Sequence, residues 1–358
     1  MDLDANNVVS YLRQRGLLFP EPAASAAVAV KDVSRRNRNL RVSVGATGFM
    51  VKQVRTASNE DVMMLRREAT CYRMAQSDAQ LARLMPSLLV YDARSNILVT
   101  KLAGDAESIS DWYKRHGDLP AAFGERLGEA IGRHHARLMS AAGRAKAAPV
   151  FPGRLPFILC LREAQQANPD PIVPQLIELV RRQPGLESDL DAFAAKWRQD
   201  CLLHGDISWE NVLVSSAPTE GRDLLIVDWE MADIGDAGWD VGIVLRSFLA
   251  GWIRAVQTAG EPSENAVDPA EPSFSVMRAL AFAFWTGYAR ARGFDAAQSR
   301  SEVERGMRFA ALQIAVITLG QGPFEPEVQS FAIEAARIAF NLFQHPQAPV
   351  RALLARQN

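Results

Sequence analysis

Cysteine is scarce in this chain, and the scarcity excludes two architectures. The residues Cys71, Cys160 and Cys201 are far apart and odd in number, and no Cys-x-x-Cys occurs. Neither a disulfide framework nor a cysteine-bound zinc is therefore expected, and reduced, buried thiols are. Long apolar runs are missing as well. The N-terminal MDLDANNVVSYLRQRGLL opens acidic and lacks the apolar stretch of a signal peptide, and ALAFAFW (279–285) is far too short to span a bilayer. A cytoplasmic protein without a membrane partner is expected. Charge of one sign is not in excess: 40 Lys and Arg oppose 41 Asp and Glu, so no whole-molecule field points to nucleic acid. A G-x-G-x-x-G phosphate loop, internal repeats and low-complexity tracts are also absent.

The composition is that of a soluble globular protein, with 48% hydrophobic and 23% charged residues, and 358 residues are enough for two lobes. Residues 7–18 have helical spacing closed by glycine. Strand-like runs follow at 26–33, 40–44 and 49–54, separated by the polar SRRNRN (34–39) and the tight turn GATG. An amphipathic helix is predicted over 60–76, then strands at 88–91 and 97–102. Beyond Gly104 helices dominate, at 121–140 and 186–199, with an irregular Ala/Pro/Arg-rich connection at 142–185 that holds one or two helices. A short strand pair, 211–214 and 224–228, interrupts them before further helices from about 238. The expected fold is α+β: a small β-rich lobe over 1–101 and a larger helical lobe over 102–358, joined near 101–104.

Between the apolar Leu202-Leu203 and Val212-Leu213-Val214 lies a polar stretch, HGDISWEN. An ordinary turn, with Asp206 and Asn211 bonding their own backbone, is one reading. A rigidly held loop that carries chemistry is the other. Further on, LLIVDWE places Asp228 at the end of an apolar run. Two carboxylates and an amide oxygen suit a hard cation such as Mg2+, which takes oxygen ligands. Phosphoryl transfer needs a carboxylate to accept the proton of the attacking hydroxyl, oxygen ligands for the metal, and a Lys–Glu pair on the nucleotide phosphates. Lys52, in a strand, and Glu68, on the following helix, supply that pair. Lys31 is the competing strand lysine, and Glu68 could instead form an exposed pair on its own helix.

HGDISWEN followed by IVDWEMADIGDAGWD resembles the catalytic core of the aminoglycoside phosphotransferase and choline kinase-like family, a bilobal relative of protein kinases. The matching residues are His204-Gly205-Asp206 with Asn211, then Asp228, then Gly235-Asp236 with Asp240. VTKLAG (99–104) and LGEAIGRHHA (127–136) extend the likeness. The resemblance implies a protein kinase-like fold and an ATP- and Mg2+-dependent phosphotransferase. It makes Asp206 the catalytic base and Asn211 and Asp228 the metal ligands. Lys52 would meet the nucleotide phosphates, Glu68 would hold Lys52, and Thr100 and Leu102 would offer backbone to the adenine edge. His204 and Asp240 would support the loop. Trp229 and Trp239 read as core, Trp209 as core or substrate contact, and His134 and His135 as packing residues. Asp233 and Asp236 serve a metal, the loop or a helix cap.

The chain departs from the pattern at SRRNRN, where the family has a small-residue turn. There Ser34 and backbone amides are expected to hold phosphates, with Arg35, Arg36 or Arg38 adding charge or forming a solvated turn. HGD replaces the protein-kinase HRD, Ser208 stands at the catalytic-loop lysine, and no long activation segment separates Asp228 from Asp240. The expected acceptor is a hydroxyl of an antibiotic or metabolite, although 241–358 carries no acidic excess of the kind a polycationic aminoglycoside would favour. Two alternatives remain open. One is phosphorylation of Ser or Thr in a ribosomally made precursor peptide, alongside a partner modification enzyme. The other is a non-catalytic ATP-binding scaffold.

Overall fold

The computed structural model describes residues 2–18, 28–34, 37–45, 47–55, 58–103, 106–137, 146–167, 172–219, 222–257, 272–320 and 326–355. In chain order the elements begin α1 (Val8–Gln14), β1 (Val28–Asp32), β2 (Arg38–Val44), β3 (Thr47–Gln53), α2 (Asn59–Gln76), α3 (Ala79–Leu84), β4 (Leu88–Asp92), β5 (Ile97–Lys101) and β6 (Glu107–Ser108). Next come α4 (Ile109–His116), α5 (Ala121–His135), α6 (Leu161–Ala167), α7 (Ile172–Arg182), α8 (Leu186–Ala194), β7 (Cys201–Leu203), β8 (Val212–Thr219), β9 (Arg222–Ile226) and β10 (Asp233–Gly235). The chain closes with α9 (Ala237–Gln257), α10 (Phe274–Arg292), α11 (Ala296–Gly320), α12 (Pro326–Gln344) and α13 (Gln347–Leu354). Contacts divide it into one unit of residues 1–108 and 211–232, and another of 109–210 and 233–358. Among the described residues no helix is long and apolar enough to cross a membrane.

In the first unit, an antiparallel sheet runs in the order β1-β2-β3-β5-β4. Alternation gives its two faces different work. Phe49 and Val51 of β3, with Ile97 and Val99 of β5, join Leu40 and Val42 in a core that Val8, Tyr11 and Leu12 of α1 complete. Gln53 faces the same way, and its Oε1 accepts from the Leu3 amide at 2.8 Å. Met50 and Lys52, with Leu98 and Thr100, are left for the opposite face. α2 starts on a capped turn: Ser58 Oγ accepts from the Asp61 amide, and Glu60 and Asp61 complement the helix dipole. Its buried stripe contains Met64, Leu65, Glu68, Ala69 and Tyr72, so Glu68 lies on the inward face.

In the second unit, α5 and α10 approach through Gly124, Gly128 and Gly132 on one helix and Gly287 on the other. A Cβ at Gly128 would overlap the carbonyl oxygen of Phe284, and one at Gly287 that of Glu125. Phe309 of α11 anchors a second cluster, with Phe193 and Trp197 against it and Trp239 edge-on at 5.8 Å.

Several expectations are corrected. α3, α4 and β6 were not anticipated, being short and weakly patterned, and α1 and α8 stop at Gln14 and Ala194, short of 18 and 199. β8 runs through the polar SSAPT to Thr219, because pairing to β9 (Thr219 opposite Arg222) satisfies backbone groups whatever the side chains. β9 ends at Ile226, so Asp228 lies beyond the strand, not at its end. α5 ends at His135, and the rest of its predicted span largely falls outside the described residues. Cys71 and Cys201 are buried, and burial pushes both thiols up; Cys160 is only half-buried.

The glycine contact gives a direct test. Gly128→Ala should destabilise the fold by roughly 1–3 kcal/mol, the usual cost of forcing a methyl into a packed interior. Urea unfolding measures this, and an unchanged midpoint would mean that the two helices have room to separate.

Candidate active site

Lys52 is 8% exposed and its ammonium is ringed by acids. Nζ lies 2.8 Å from Glu68 Oε2, 2.6 Å from Asp228 Oδ1 and 2.5 Å from Glu230 Oε2. Burial alone would push the lysine down, but the three carboxylates raise it, so it stays cationic. Burial pushes the Glu68 carboxyl up against the pull of Lys52, and its Oε1 accepts from the Tyr72 hydroxyl at 2.8 Å. The carboxylate oxygens of Glu68, Asp228 and Glu230 lie within 4.8 Å of one another, a grouping able to hold a metal ion. One ammonium cannot neutralise three ionised carboxylates. Lys31, in the exposed β1, takes no part.

The β8–β9 hairpin sets the neighbouring residues. Val212 pairs with Ile226, and the Val227 amide donates to the Asn211 carbonyl at 2.9 Å. Asn211 and Asp228 are thereby brought to the same end of the hairpin. Asp228 adopts left-handed backbone angles (φ 64°, ψ 54°), uncommon without glycine, as the chain turns into 229–231. Trp229 behind it is fully buried, its Nε1 donating to the Ile226 carbonyl.

A cavity of about 260 Å³ opens beside this cluster within the same unit. Met50, Leu98, Leu213 and Val227 supply apolar walls, while Lys52, Asn211 and Asp228 form its polar end. Thr100 and Leu102 also line it, and the amides beside them are engaged in the sheet. The Lys101 amide donates to Ser87 and the Leu102 amide to Gly48, both at 2.9 Å, because the strand pairing continues through them. The Ala103 amide has no partner among the described residues. Ser34 closes its own turn: its amide donates to Asp32 Oδ1 and its Oγ accepts from the Asn39 amide, both at 2.9 Å. Arg38 pairs with Asp32 at 2.6 Å, and Arg35 and Arg36 lie outside the described residues.

In the second unit the HGD loop leaves the fully buried β7, which pairs with β10 (Leu203 opposite Asp233). Gly205 takes φ 84°, which requires glycine, and the half-buried Asp206 follows. Asp240, wholly buried, accepts the His204 amide at 2.8 Å and the Gly205 amide at 2.9 Å. Burial would raise its pKa, but the hydrogen bonds it accepts from the His135 ring and the His204 amide hold it below the ordinary value. His204 Nδ1 in turn accepts the Asp206 amide at 3.1 Å. His134 Nε2 donates to the Leu202 carbonyl at 2.7 Å, and burial pushes its pKa down to about 4. Trp209 donates to Ser247 Oγ at 2.9 Å. Asp236 accepts the Gly238 amide at the start of α9 and is clasped by Arg305, while Asp233 accepts the Gly153 amide. Asp236 thus holds the start of α9, and Asp233 holds the backbone at 153–154.

Two residues escaped the sequence reading. Glu230 belongs to the DWE of the second motif, and an acid two places beyond Asp228 was the available signal. Arg246 of α9 lies in the field of Asp206 and Glu210, which oppose the downward push of burial on its guanidinium. No local sequence signal marks it.

The profile of the phosphotransferase enzyme family (APH) matches residues 32–274. Choline kinase LicA from Streptococcus pneumoniae is similar over 94% of this chain and 99% of its own, at 12% identity and a TM-score of 0.52. A microcompartment-associated aminopropanol kinase matches over 96% and 98%, at 16% identity and 0.51. The ADP-bound aminoglycoside phosphotransferase APH(2'')-Ib matches over 94% and 99%, at 12% identity and 0.53. At these identities the likeness is one of fold, and it makes this chain kinase-like. No curated protein sequence matches the chain.

The buried His134 makes stability depend on pH. Its folded pKa lies below the unfolded value, so the unfolded chain binds the extra proton and stability is lost as pH falls from about 6.5 toward 4. His134→Gln should remove roughly 2–3 kcal/mol of that loss. Melting curves at pH 7 and 4.5 compare the two proteins; equal slopes would show that His134 is charged in the fold.

Proposed function

The chain belongs to the phosphotransferase enzyme family, and on that premise we propose that it transfers the terminal phosphoryl group of ATP to a hydroxyl of a small molecule, with Mg2+. The observation that carries this reading is the buried Lys52 ammonium among three converging carboxylates, with Asn211 at the same hairpin end as Asp228.

The donor set fits a hard divalent cation. It consists of oxygens, it is negative in excess of its one ammonium, and two of its acids are only partly buried. Asp228, Glu230 and Asn211 would hold Mg2+, whose charge, when bound, offsets that of the phosphates. Glu68 is committed to Lys52 and Tyr72 and keeps the ammonium in place. Lys52 would bind phosphate oxygens, and the apolar cavity would take the base, with the Ala103 amide as its donor. Neutralising and positioning such groups is most of what phosphoryl transfer asks of a protein.

Asp206 would accept the proton of the acceptor hydroxyl as that oxygen bonds to phosphorus. The bond from phosphorus to the bridging oxygen breaks, and ADP leaves with the electron pair. Arg246 would supply the positive charge near Asp206 that Ser208 does not. Choline, aminopropanol and aminoglycosides, in the names of the similar structures, are all alcohols, which supports a hydroxyl acceptor.

ADP release with Mg-ATP, measured over aminoglycosides, amino alcohols, sugar alcohols and Ser/Thr peptides, tests the reading. Turnover is expected on a small alcohol. Turnover on peptides alone would replace it with peptide phosphorylation, and nucleotide binding without turnover would favour a scaffold. Asp206→Asn should lower turnover on the order of a thousandfold or more while nucleotide affinity by calorimetry stays within a few-fold. Glu230→Gln should raise the Mg2+ concentration needed for half-maximal rate by about tenfold, and an unchanged requirement would remove Glu230 from the metal set.

A further inference from the structure

Behind Asp240 lies a chain of polar groups buried in an otherwise apolar interior. His135, on the last turn of α5, has 0% exposure; its Nε2 is 3.2 Å from Asp240 Oδ2 and its Nδ1 is 3.1 Å from the Tyr288 hydroxyl. Tyr288, on α10, is 2% exposed, and its hydroxyl oxygen also receives a hydrogen bond from Arg292 at 3.0 Å, one helical turn onward. Arg292 is half-buried at the end of that helix.

The direction of these bonds is dictated by Arg292, which can only donate. The Tyr288 oxygen accepts from it, so the tyrosine proton is left to point at His135. His135 Nδ1 must then be the bare, accepting nitrogen, and the ring carries its proton on Nε2. That proton is donated to Asp240, whose oxygens receive the His204 and Gly205 amides. Burial raises the Tyr288 pKa, which keeps its proton available for donation. The opposite tautomer would set the Nδ1 proton against a hydroxyl already accepting from arginine, and would face Asp240 with a lone pair.

We propose that Arg292, Tyr288 and His135 form a one-way hydrogen-bond relay that fixes the His135 tautomer and, through Asp240, holds the backbone of the loop carrying Asp206. His135 and Tyr288 are thus positioning residues for the proposed phosphotransfer, on which their effect on rate rests. The partly exposed Arg292 is the outer end of the relay and can be changed without opening the core.

Two readouts test this, one of them independent of activity. The chain has 5 histidines, so selective 15N-histidine labelling with long-range proton–nitrogen correlation resolves each ring, and His135→Gln identifies the resonance. The wild type is expected to show His135 protonated on Nε2 and bare on Nδ1. Tyr288→Phe and Arg292→Ala should shift that population toward Nδ1–H, whereas Arg292→Lys, which keeps a donor, should retain it. In parallel, kcat should fall on the order of tenfold in Tyr288→Phe and Arg292→Ala, with KM for ATP within about twofold, and Arg292→Lys should recover most of the rate. A proton on Nδ1 in the wild type overturns the relay, as does a His135 spectrum indifferent to both variants. Altered tautomers with unchanged kcat overturn the positioning role alone. A wild type with the expected spectrum but no turnover on any acceptor would leave the relay standing and count against the phosphotransferase reading.

Discussion

A single buried carboxylate, Asp240, holds the loop on which the proposed chemistry turns. Two consecutive amides, of His204 and Gly205, converge on it, and such convergence is available only because Gly205 can take a positive φ. An ionised group without exposure would be costly if unpaired, and here the two amides and His135 satisfy it. Asp206 follows directly on this fixed pair of peptides. Its backbone is further tied by the bond its amide donates to the His204 ring, and the amide of that histidine is itself held by Asp240. The anchor of the loop is shielded from water.

Around Lys52 the logic is one of surplus charge. The ammonium attracts three carboxylates into a space one cation cannot neutralise, and their mutual repulsion remains as a capacity to bind further positive charge. Glu68 is fixed by the tyrosine behind it, whereas Asp228 and Glu230 are borne on the short turn after β9 and are partly open to solvent. A donor set divided in this way suits the proposed function, in which lysine is held permanently while a metal and nucleotide exchange. The strained angles at Asp228 belong to the same turn: they direct one acid and then, two residues on, a second toward the same ammonium.

Much of this was legible in order along the chain. The strand and helix periodicities located the five-stranded sheet and α2, and the HGDxxxxN, Asp and GDxxxD succession fixed the family-level reading. Glu68 could be placed only by counting it onto the apolar stripe of α2, and the stripe alone left open whether its carboxylate met Lys52 or solvent. Ser34 shows the converse. Its place in the turn after β1 suggested a phosphate contact, but its hydroxyl and amide close that turn.

The sequence by itself determined which residue types could support phosphoryl transfer, because their spacing on strands and loops follows from local backbone geometry. It also determined that no disulfide framework or cysteine zinc site was to be looked for. Only the tertiary structure decided which groups share a proton or a charge. Glu230 joins Lys52, the Leu102 amide is taken by Gly48, and Tyr288 reaches His135 from a helix distant in sequence. These partnerships depend on the packing of elements far apart along the chain, as where Gly128 lets α10 approach α5, and no local pattern encodes that distance.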